Sequence, residues 1–163
     1  MKNKYMKVVA CAVLFMAAAL QMDAQSAKKA NVKDFITDCE KSEFVKTPKF
    51  AETMAWFNRL AEASPMVNIS SFGTSPMGRD LALVIVDKDG LTTPDAIREK
   101  GRVIVLIESC IHSGEPDGKD ATMIFLRDMV VGKKNIDVLD NVSFLCIPVF
   151  NVDGHENFTA LNR

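Results

Sequence analysis

The chain has 163 residues, of which 48% are hydrophobic and 25% are charged, and its formal net charge is −1. These values are typical of a single globular domain that buries a hydrophobic core. A net charge so close to zero gives no indication of the strongly basic surface typical of a nucleic-acid-binding protein. We therefore expect no nucleic-acid partner.

Residues 1–24 have the layout of a secretory signal peptide. A short region rich in lysine precedes an apolar stretch, residues 8–20, and Ala24 offers a small residue for cleavage. With about 13 residues, this stretch is shorter than the roughly 20 residues that a membrane-spanning helix needs. We therefore expect a protein exported to the periplasm or secreted, with no membrane attachment after cleavage.

The next segment leads into a predicted helix. Residues 25–46 are mixed and charged, which indicates a linker or an edge segment. Thr47 and Pro48 predict the start of a helix, because Thr offers an N-cap oxygen and Pro suits the first helical position. Apolar residues then recur at helical spacing over residues 50–61. Trp56 lies beside this apolar stripe, which favours packing in the core over a role as a binding platform.

Two strands are predicted after this helix, over residues 66–72 and 81–87. The connection between them is short and rich in turn residues, which indicates an antiparallel hairpin. Arg79 stands at the end of that connection. Its position is typical of an exposed arginine at the start of a strand, and contact with a substrate is the alternative.

A strand, a helix and a second strand follow. Residues 103–107 are apolar and mostly β-branched, and the lack of polar alternation predicts burial on both faces. Residues 118–131 predict a helix that Asp117 can N-cap, and residues 142–150 predict a second strand. This order makes two parallel neighbours. The predicted fold is therefore α/β, with a mixed, partly parallel central sheet and flanking helices.

His112 and Glu115 lie in the turn after the first of these parallel strands. Ligands of α/β sheets usually bind beyond the carboxyl ends of the strands, and residues 151–154 should emerge at the same edge. An imidazole and a carboxylate are both zinc ligands, and Gly114 between them permits the chain to curl. Bound zinc would acidify a water molecule and polarise a substrate carbonyl. The alternative is a histidine that caps the strand end beside a solvated glutamate.

His155 and Glu156 begin a pattern similar to the His-Glu-x-x-His helix of zinc proteases. Position 159 is Thr, so the second histidine is absent and that pattern is excluded. His155 is then either an ordinary histidine of its turn or, as the weaker alternative, a residue that touches a metal.

Four cysteines are present, and Cys11 belongs to the predicted signal peptide. Cys110 and Cys146 lie in or beside the predicted central strands, where a thiol usually behaves as a small buried hydrophobe. Together with Cys39 they make an odd number, which allows one disulfide in an exported protein without requiring it.

Three stretches, taken in order, resemble the zinc metallocarboxypeptidase family, the carboxypeptidase A/B-like proteases. Residues 72–80 are similar to the family's Gly-x-Ser-x-x-Gly-Arg turn. Residues 111–115 are similar to its first two zinc ligands, and residues 148–154 to its Asn-Pro-Asp-Gly turn. The resemblance implies that His112 and Glu115 bind Zn²⁺ and that the substrate is a peptide or a peptide-like molecule.

The resemblance also implies that part of the family's catalytic site is absent from residues 47–163. The family's third zinc ligand and its catalytic glutamate lie further along than Arg163, so residues 47–163 resemble the N-terminal half of a catalytic domain. We then expect no catalytic residue in this chain, unassigned substrate-binding residues, an unpaired apolar sheet edge and no activity of the chain alone. Gly114 stands where digestive members carry an arginine that helps to bind substrate, so an ordinary peptide preference is not implied. A zinc-dependent acylase on the same fold and a non-catalytic fragment are the alternatives.

Overall fold

The computed structural model describes residues 30–157 and residue 159. The predicted signal peptide therefore lies outside the described residues. In chain order, the described elements are a 3₁₀ helix (Val32–Phe35), α1 (Asp38–Lys41), α2 (Phe50–Ala63), β1 (Val67–Thr74), β2 (Asp80–Val86), α3 (Pro94–Glu99), β3 (Val103–Glu108), α4 (Asp117–Val130), a second 3₁₀ helix (Ile136–Asp140), β4 (Val142–Ile147) and α5 (Val152–Glu156).

The strands of the described residues form one sheet in the order β1-β2-β4-β3. β1 and β2 pair in antiparallel orientation, as predicted for the hairpin. β3 and β4 pair in parallel orientation, and α4 lies between them along the chain, as predicted for the strand–helix–strand unit. β2 and β4 are antiparallel and join the two halves. The sheet is therefore mixed and partly parallel, which confirms the predicted fold class.

β3 lies at an edge of this sheet, so the prediction that both of its faces are buried is wrong for the part of the chain that the structure describes. Val103 is 63% exposed and Leu106 is 57% exposed. Within the described residues only β4 pairs with this strand, and an unbroken apolar run does not distinguish a central strand from such an edge. The exposed apolar edge is the one that the family resemblance implies.

Helix α2 begins at Phe50 with Lys49 as its N-cap, so the predicted start at Thr47 and Pro48 is wrong. The Thr47 hydroxyl instead accepts a hydrogen bond from Lys119 Nζ at 2.7 Å, and the Pro48 carbonyl accepts one from the same amine at 2.9 Å. These two residues are held against helix α4 and therefore do not join helix α2.

Helix α4 begins at Asp117, and Pro116 occupies its N-cap position without a side-chain hydrogen bond. The predicted cap by Asp117 is therefore wrong, because this residue already lies inside the helix. Asp117 and Asp120 both stand in the first turn, where a negative charge is favourable.

The aromatic residues of α2 pack inwards. Trp56 is buried, its ring meets those of Phe35 and Phe57 edge-on, and its Nε1 donates a hydrogen bond to the Phe35 carbonyl at 3.2 Å. This confirms the predicted packing role of Trp56. Residues 30–46, the described part of the predicted linker, contain the first 3₁₀ helix and α1, and Phe35 packs in the core. The domain boundary at residue 47 stays a prediction.

A buried charged cluster lies where β2 ends and where β3 and β4 begin. Arg102 Nη1 contacts both carboxylate oxygens of Asp87 at 3.1 and 3.2 Å, and its Nη2 donates to Asp89 at 2.8 Å. Ser143 Oγ donates to Asp87 at 2.5 Å. Desolvation alone would raise the pKa of Asp87, but these hydrogen bonds, with those from backbone amides, hold that pKa below its usual value.

Among the described residues, no helix combines the length and the apolar character that crossing a membrane requires.

Candidate metal site

The turns that follow β3 and β4 lie side by side. Ser109 N donates to the Ile147 carbonyl at 3.0 Å, Phe150 N to the Ser109 carbonyl at 2.9 Å, and Asn151 N to the Cys110 carbonyl at 3.0 Å. The two segments of the chain thus continue to pair beyond the ends of β3 and β4. Residues 109–112 and 150–154 therefore lie together beyond the carboxyl ends of β3 and β4, as the sequence predicts.

Cys110 redirects the chain away from β3. Its φ of 53° lies in the left-handed region, which a residue other than glycine rarely adopts. Two residues beyond Cys110, the His112 carbonyl accepts a hydrogen bond from Glu115 N at 3.1 Å, which closes the turn.

The closed turn brings the two predicted zinc ligands together. His112 Nδ1 lies 3.1 Å from Glu115 Oε2, and the two side chains are 54% and 51% exposed. Zinc bonds to imidazole nitrogen and to carboxylate oxygen are each about 2.0–2.2 Å long, so two donor atoms at this separation fit around one ion. The two residue types and the separation of their donor atoms therefore suit zinc, and both side chains are half exposed.

The surroundings of this pair supply no further ligand among the described residues. Within residues 30–157 and residue 159, no group of three or more His, Cys, Asp and Glu side chains is placed to hold a metal ion. The Glu108 and Asp117 side chains help to line a cavity of about 320 Å³ beside His112 and Glu115. The described site is therefore an open, acidic pocket with two candidate ligands.

His155 does not join His112 and Glu115. Its side chain is fully buried, and Nδ1 lies 3.9 Å from Glu156 Oε1. Burial, with the positive charge of Lys119, lowers the pKa of His155 to about 4. The imidazole is therefore neutral over the physiological range.

Lys119 is a fully buried residue that the sequence patterns do not reveal. Besides Thr47 and Pro48, its Nζ contacts the Asp120 carboxylate at 3.1 Å. Burial lowers the pKa of Lys119, and the charge of Asp120 opposes that shift. The amine fixes the first turn of α4, just after Glu115, to the segment before α2. Lysine is seldom fully buried, so composition and spacing do not predict that Lys119 is buried and binds the segment before α2.

Arg79 has a partner that the sequence analysis did not assign. Its Nη1 lies 2.7 Å from Asp153 Oδ1, and both side chains are partly buried. The two residues belong to two of the three stretches that carry the family resemblance, and the structure brings these stretches into contact. The presence of both motifs in one chain was the available signal for a contact between them. Their spacing along the chain does not predict that Arg79 binds Asp153.

The cysteines that the structure describes are buried and form no disulfide with one another. Burial raises the pKa of Cys110 to about 11 and that of Cys146 to about 12. These thiols behave as small hydrophobes, as predicted, and have none of the thiolate character that catalysis by cysteine requires.

The sequence profile described as zinc carboxypeptidase matches residues 53–163. The chain belongs to the zinc carboxypeptidase family. No curated protein sequence matches it significantly. Among solved structures, carboxypeptidase A from Helicoverpa armigera is similar, with a TM-score of 0.59 and 21% identity over 69% of this chain and 26% of that one. Bovine thrombin-activatable fibrinolysis inhibitor, solved with a tick carboxypeptidase inhibitor, is also similar, with a TM-score of 0.56 and 21% identity over 68% of this chain and 33% of that one.

These two solved structures show the fold that the chain shares. The matched part spans only about a quarter to a third of their lengths. The open pocket at His112 and Glu115 lies within the part of the chain that the family profile matches.

Proposed function

We propose that this chain contributes two zinc ligands, His112 and Glu115, to an exported zinc-dependent metallocarboxypeptidase-like peptide hydrolase. The observation that carries the proposal is the convergence of His112 Nδ1 and Glu115 Oε2 to 3.1 Å at the carboxyl end of a parallel strand pair. Family membership supports the choice of zinc and the choice of a peptide or peptide-like substrate.

The chemistry follows from the chain's own residues. His112 supplies a neutral nitrogen donor, and Glu115 supplies an anionic oxygen donor that offsets part of the charge of a divalent cation. When bound there, zinc supplies Lewis-acid polarisation of a carbonyl and acidification of a water molecule. The half-exposed turn leaves room for a substrate to approach these donors from solvent. Gly114 has no side chain with which to hold a substrate carboxylate, so substrate contacts come from elsewhere.

The described residues do not complete a catalytic zinc site. Such sites typically use three protein ligands and leave one position for water, whereas the described residues bring only two candidate ligands together. We therefore propose that the 163-residue chain binds zinc weakly and does not hydrolyse peptides by itself.

Export is the second part of the proposal. It is supported by the order of lysines, apolar residues and a small residue over residues 1–24. Expression of the chain with its first 24 residues, followed by fractionation, should place the protein outside the cytoplasm with Gln25 as its first residue. Recovery of an uncleaved chain from the cytoplasm would contradict this part alone.

Zinc binding tests the site. Equilibrium dialysis of the 163-residue chain against Zn²⁺ should give one bound ion, with affinity lowered more than about tenfold in His112→Ala and in Glu115→Gln, since each loses a direct ligand. Glu99→Gln is the matched control, because it neutralises an exposed carboxylate at the end of α3, before β3 begins, and should leave the affinity unchanged. Equal affinities in wild type, His112→Ala and Glu115→Gln would overturn the metal site.

Activity tests the remaining alternatives. Incubation of the zinc-loaded chain with peptides and with N-acyl amino acids should release no product if two ligands are too few. Release of C-terminal residues from peptides would show that the chain is active alone and would overturn the incompleteness of the site. Release of acyl groups in preference to peptide cleavage would favour the zinc acylase. No specific feature of the structure favours that enzyme.

A further inference from the structure

Asp153 is the point at which two of the family-like motifs meet. Its carboxylate accepts hydrogen bonds from Ser75 Oγ at 2.9 Å, from Met77 N at 3.1 Å and from Arg79 Nη1 at 2.7 Å. All three donors come from the connection between β1 and β2, residues 75–79, which we call the hairpin loop. One carboxylate thus holds this loop against the turn that follows β4.

The hairpin loop has a fixed shape of its own. Ser75 N donates to the Arg79 carbonyl at 2.8 Å, and Arg79 N donates to Ser75 Oγ at 3.0 Å. Gly78 has a φ of +80°, which only glycine adopts readily. Because hydrogen bonds between Ser75 and Arg79 fix the shape of the loop, its hydrogen bonds to Asp153 restrain the turn that carries Asp153.

The same turn is joined to the metal-binding turn by backbone bonds. Phe150 N and Asn151 N donate to the carbonyls of Ser109 and Cys110. Cys110 stands two residues before His112. These hydrogen bonds, together with the short stretch of backbone from Phe150 to Asp153, therefore connect the hairpin loop to Cys110, whose left-handed backbone precedes His112 by two positions.

We propose that Asp153 and Arg79 are positioning residues for the metal-binding turn, with Arg79 acting through Asp153. This inference rests on the proposed function, because it assigns a role in a site that His112 and Glu115 would form. Neither residue touches the metal donors. Their role is to fix the backbone from which the His112 donor projects, so that the two donors stay within reach of one ion.

The half exposure of the site explains why such restraint matters. The His112 and Glu115 side chains are only half buried and contact each other at 3.1 Å, so their placement depends strongly on the backbone that carries them. Their separation is then set by the backbone of residues 109–115. A partner that orients a metal ligand directly is worth about 10–100-fold in metal affinity. A restraint transmitted through a neighbouring turn should be worth less, about three- to tenfold.

The test is the affinity for Zn²⁺ alone, measured on the 163-residue chain by competition with a chromophoric chelator. Arg79→Gln and Asp153→Asn should each lower the affinity about three- to tenfold. The double variant should be no weaker than Asp153→Asn, because Arg79 acts through that carboxylate. Arg79→Lys keeps the positive charge and should recover part of the loss, which also supplies a milder variant if Arg79→Gln does not fold.

Two controls separate positioning from other effects. Arg98→Gln removes a guanidinium from an exposed pair with Asp95 on α3 and should leave the zinc affinity unchanged. Ser143→Ala removes a buried hydrogen bond at the opposite end of β4 and destabilises the fold without touching the series of bonds described above. A loss of zinc affinity in Ser143→Ala equal to that in Arg79→Gln would overturn the proposal, because the effect would then be general destabilisation.

The failures of the two proposals are distinguishable. If His112→Ala weakens zinc binding while Arg79→Gln and Asp153→Asn do not, the positioning role is wrong and the metal site stands. If His112→Ala and Glu115→Gln bind zinc as wild type does, the metal site is wrong and the positioning role is wrong with it. Additive losses in the double variant would show that Arg79 does not act through Asp153.

Discussion

Two polar side-chain pairs at opposite ends of the parallel strands β3 and β4 differ in their exposure. At the end where these strands begin, the side chains of Arg102 and Asp87 are 7% and 0% exposed and bind each other. At the end where they finish, His112 and Glu115 form a pair of similar length that is half exposed. One end is closed and its charges are engaged within the protein. The other end is open, and its donors remain accessible to a ligand from solvent.

This difference separates stability from binding within one sheet. A buried charge without a partner is costly, so every group at the closed end depends on the others. A half-exposed contact such as that between His112 and Glu115 contributes little to folding, so these side chains can exchange it for a metal ion at small cost. Mutation of Arg102 or Asp87 should therefore act through unfolding, and mutation of His112 or Glu115 through ligand binding.

The largest effect should come from Asp87→Ala at the closed end. This change leaves Arg102 buried with only Asp89 as a charged partner, so we expect the free energy of unfolding to fall by about 3–5 kcal/mol. Urea unfolding followed by circular dichroism measures it. A loss below about 1 kcal/mol, the range of exposed ion pairs, would erase the distinction between the two ends.

A second effect comes from a buried histidine near the open end. His155 has a pKa of about 4 in the folded chain and about 6.5 when unfolded, so between these values only the unfolded chain takes up the proton. The free energy of unfolding should therefore fall by about 3 kcal/mol as the pH drops from 6.5 to 4. Chemical unfolding of wild type and His155→Gln across this range measures it. The variant should lack this slope, and a slope equal to that of wild type would assign it to other groups.

An intermediate effect should follow from Ser143→Ala, again at the closed end. The variant loses one hydrogen bond to the Asp87 carboxylate, and such bonds to charged groups are worth about 1.5–3 kcal/mol. The midpoint of urea unfolding should move accordingly, with an unchanged slope. Asp87 keeps its other donors, so a loss as large as that of Asp87→Ala would show that the cluster fails as a unit.

The smallest effect should come from Glu115→Ala at the open end. In the absence of metal, this variant should unfold within about 0.5 kcal/mol of wild type, because the pair with His112 is half exposed. Thermal unfolding in a chelator measures it. A loss of 2 kcal/mol or more, about the size expected for Ser143→Ala, would mean that the pair is structural and that both ends serve stability.

Local patterns were sufficient for most of the fold. The hairpin follows from a turn-rich connection, and the parallel pair follows from a strand, a helix and a strand of suitable lengths. The edge position of β3 did not follow, because an apolar run is the same whether one or two strands flank it. The start of α2 also failed, since Thr47 and Pro48 bind a lysine 72 residues away along the chain instead of capping the helix.

The candidate site divides in the same way. The spacing of His112 and Glu115 predicts that one turn can bring both donors together, because that relation is local. The contacts that hold the turn are not local. Arg79 reaches Asp153 across 74 positions, and Lys119 is anchored by residues before α2. No pattern in the neighbourhood of either residue indicates its partner.

The left-handed backbone of Cys110 restricts which residue types can occupy this position in related sequences. A residue with a branched β-carbon is strained at a φ of 53°, and only glycine, asparagine and aspartate enter that region readily. Relatives that keep the same loop shape should therefore carry only a few residue types at the position two residues before the histidine. A valine, isoleucine or threonine at that place would mark a sequence whose loop takes another path, even where the histidine and the glutamate are retained.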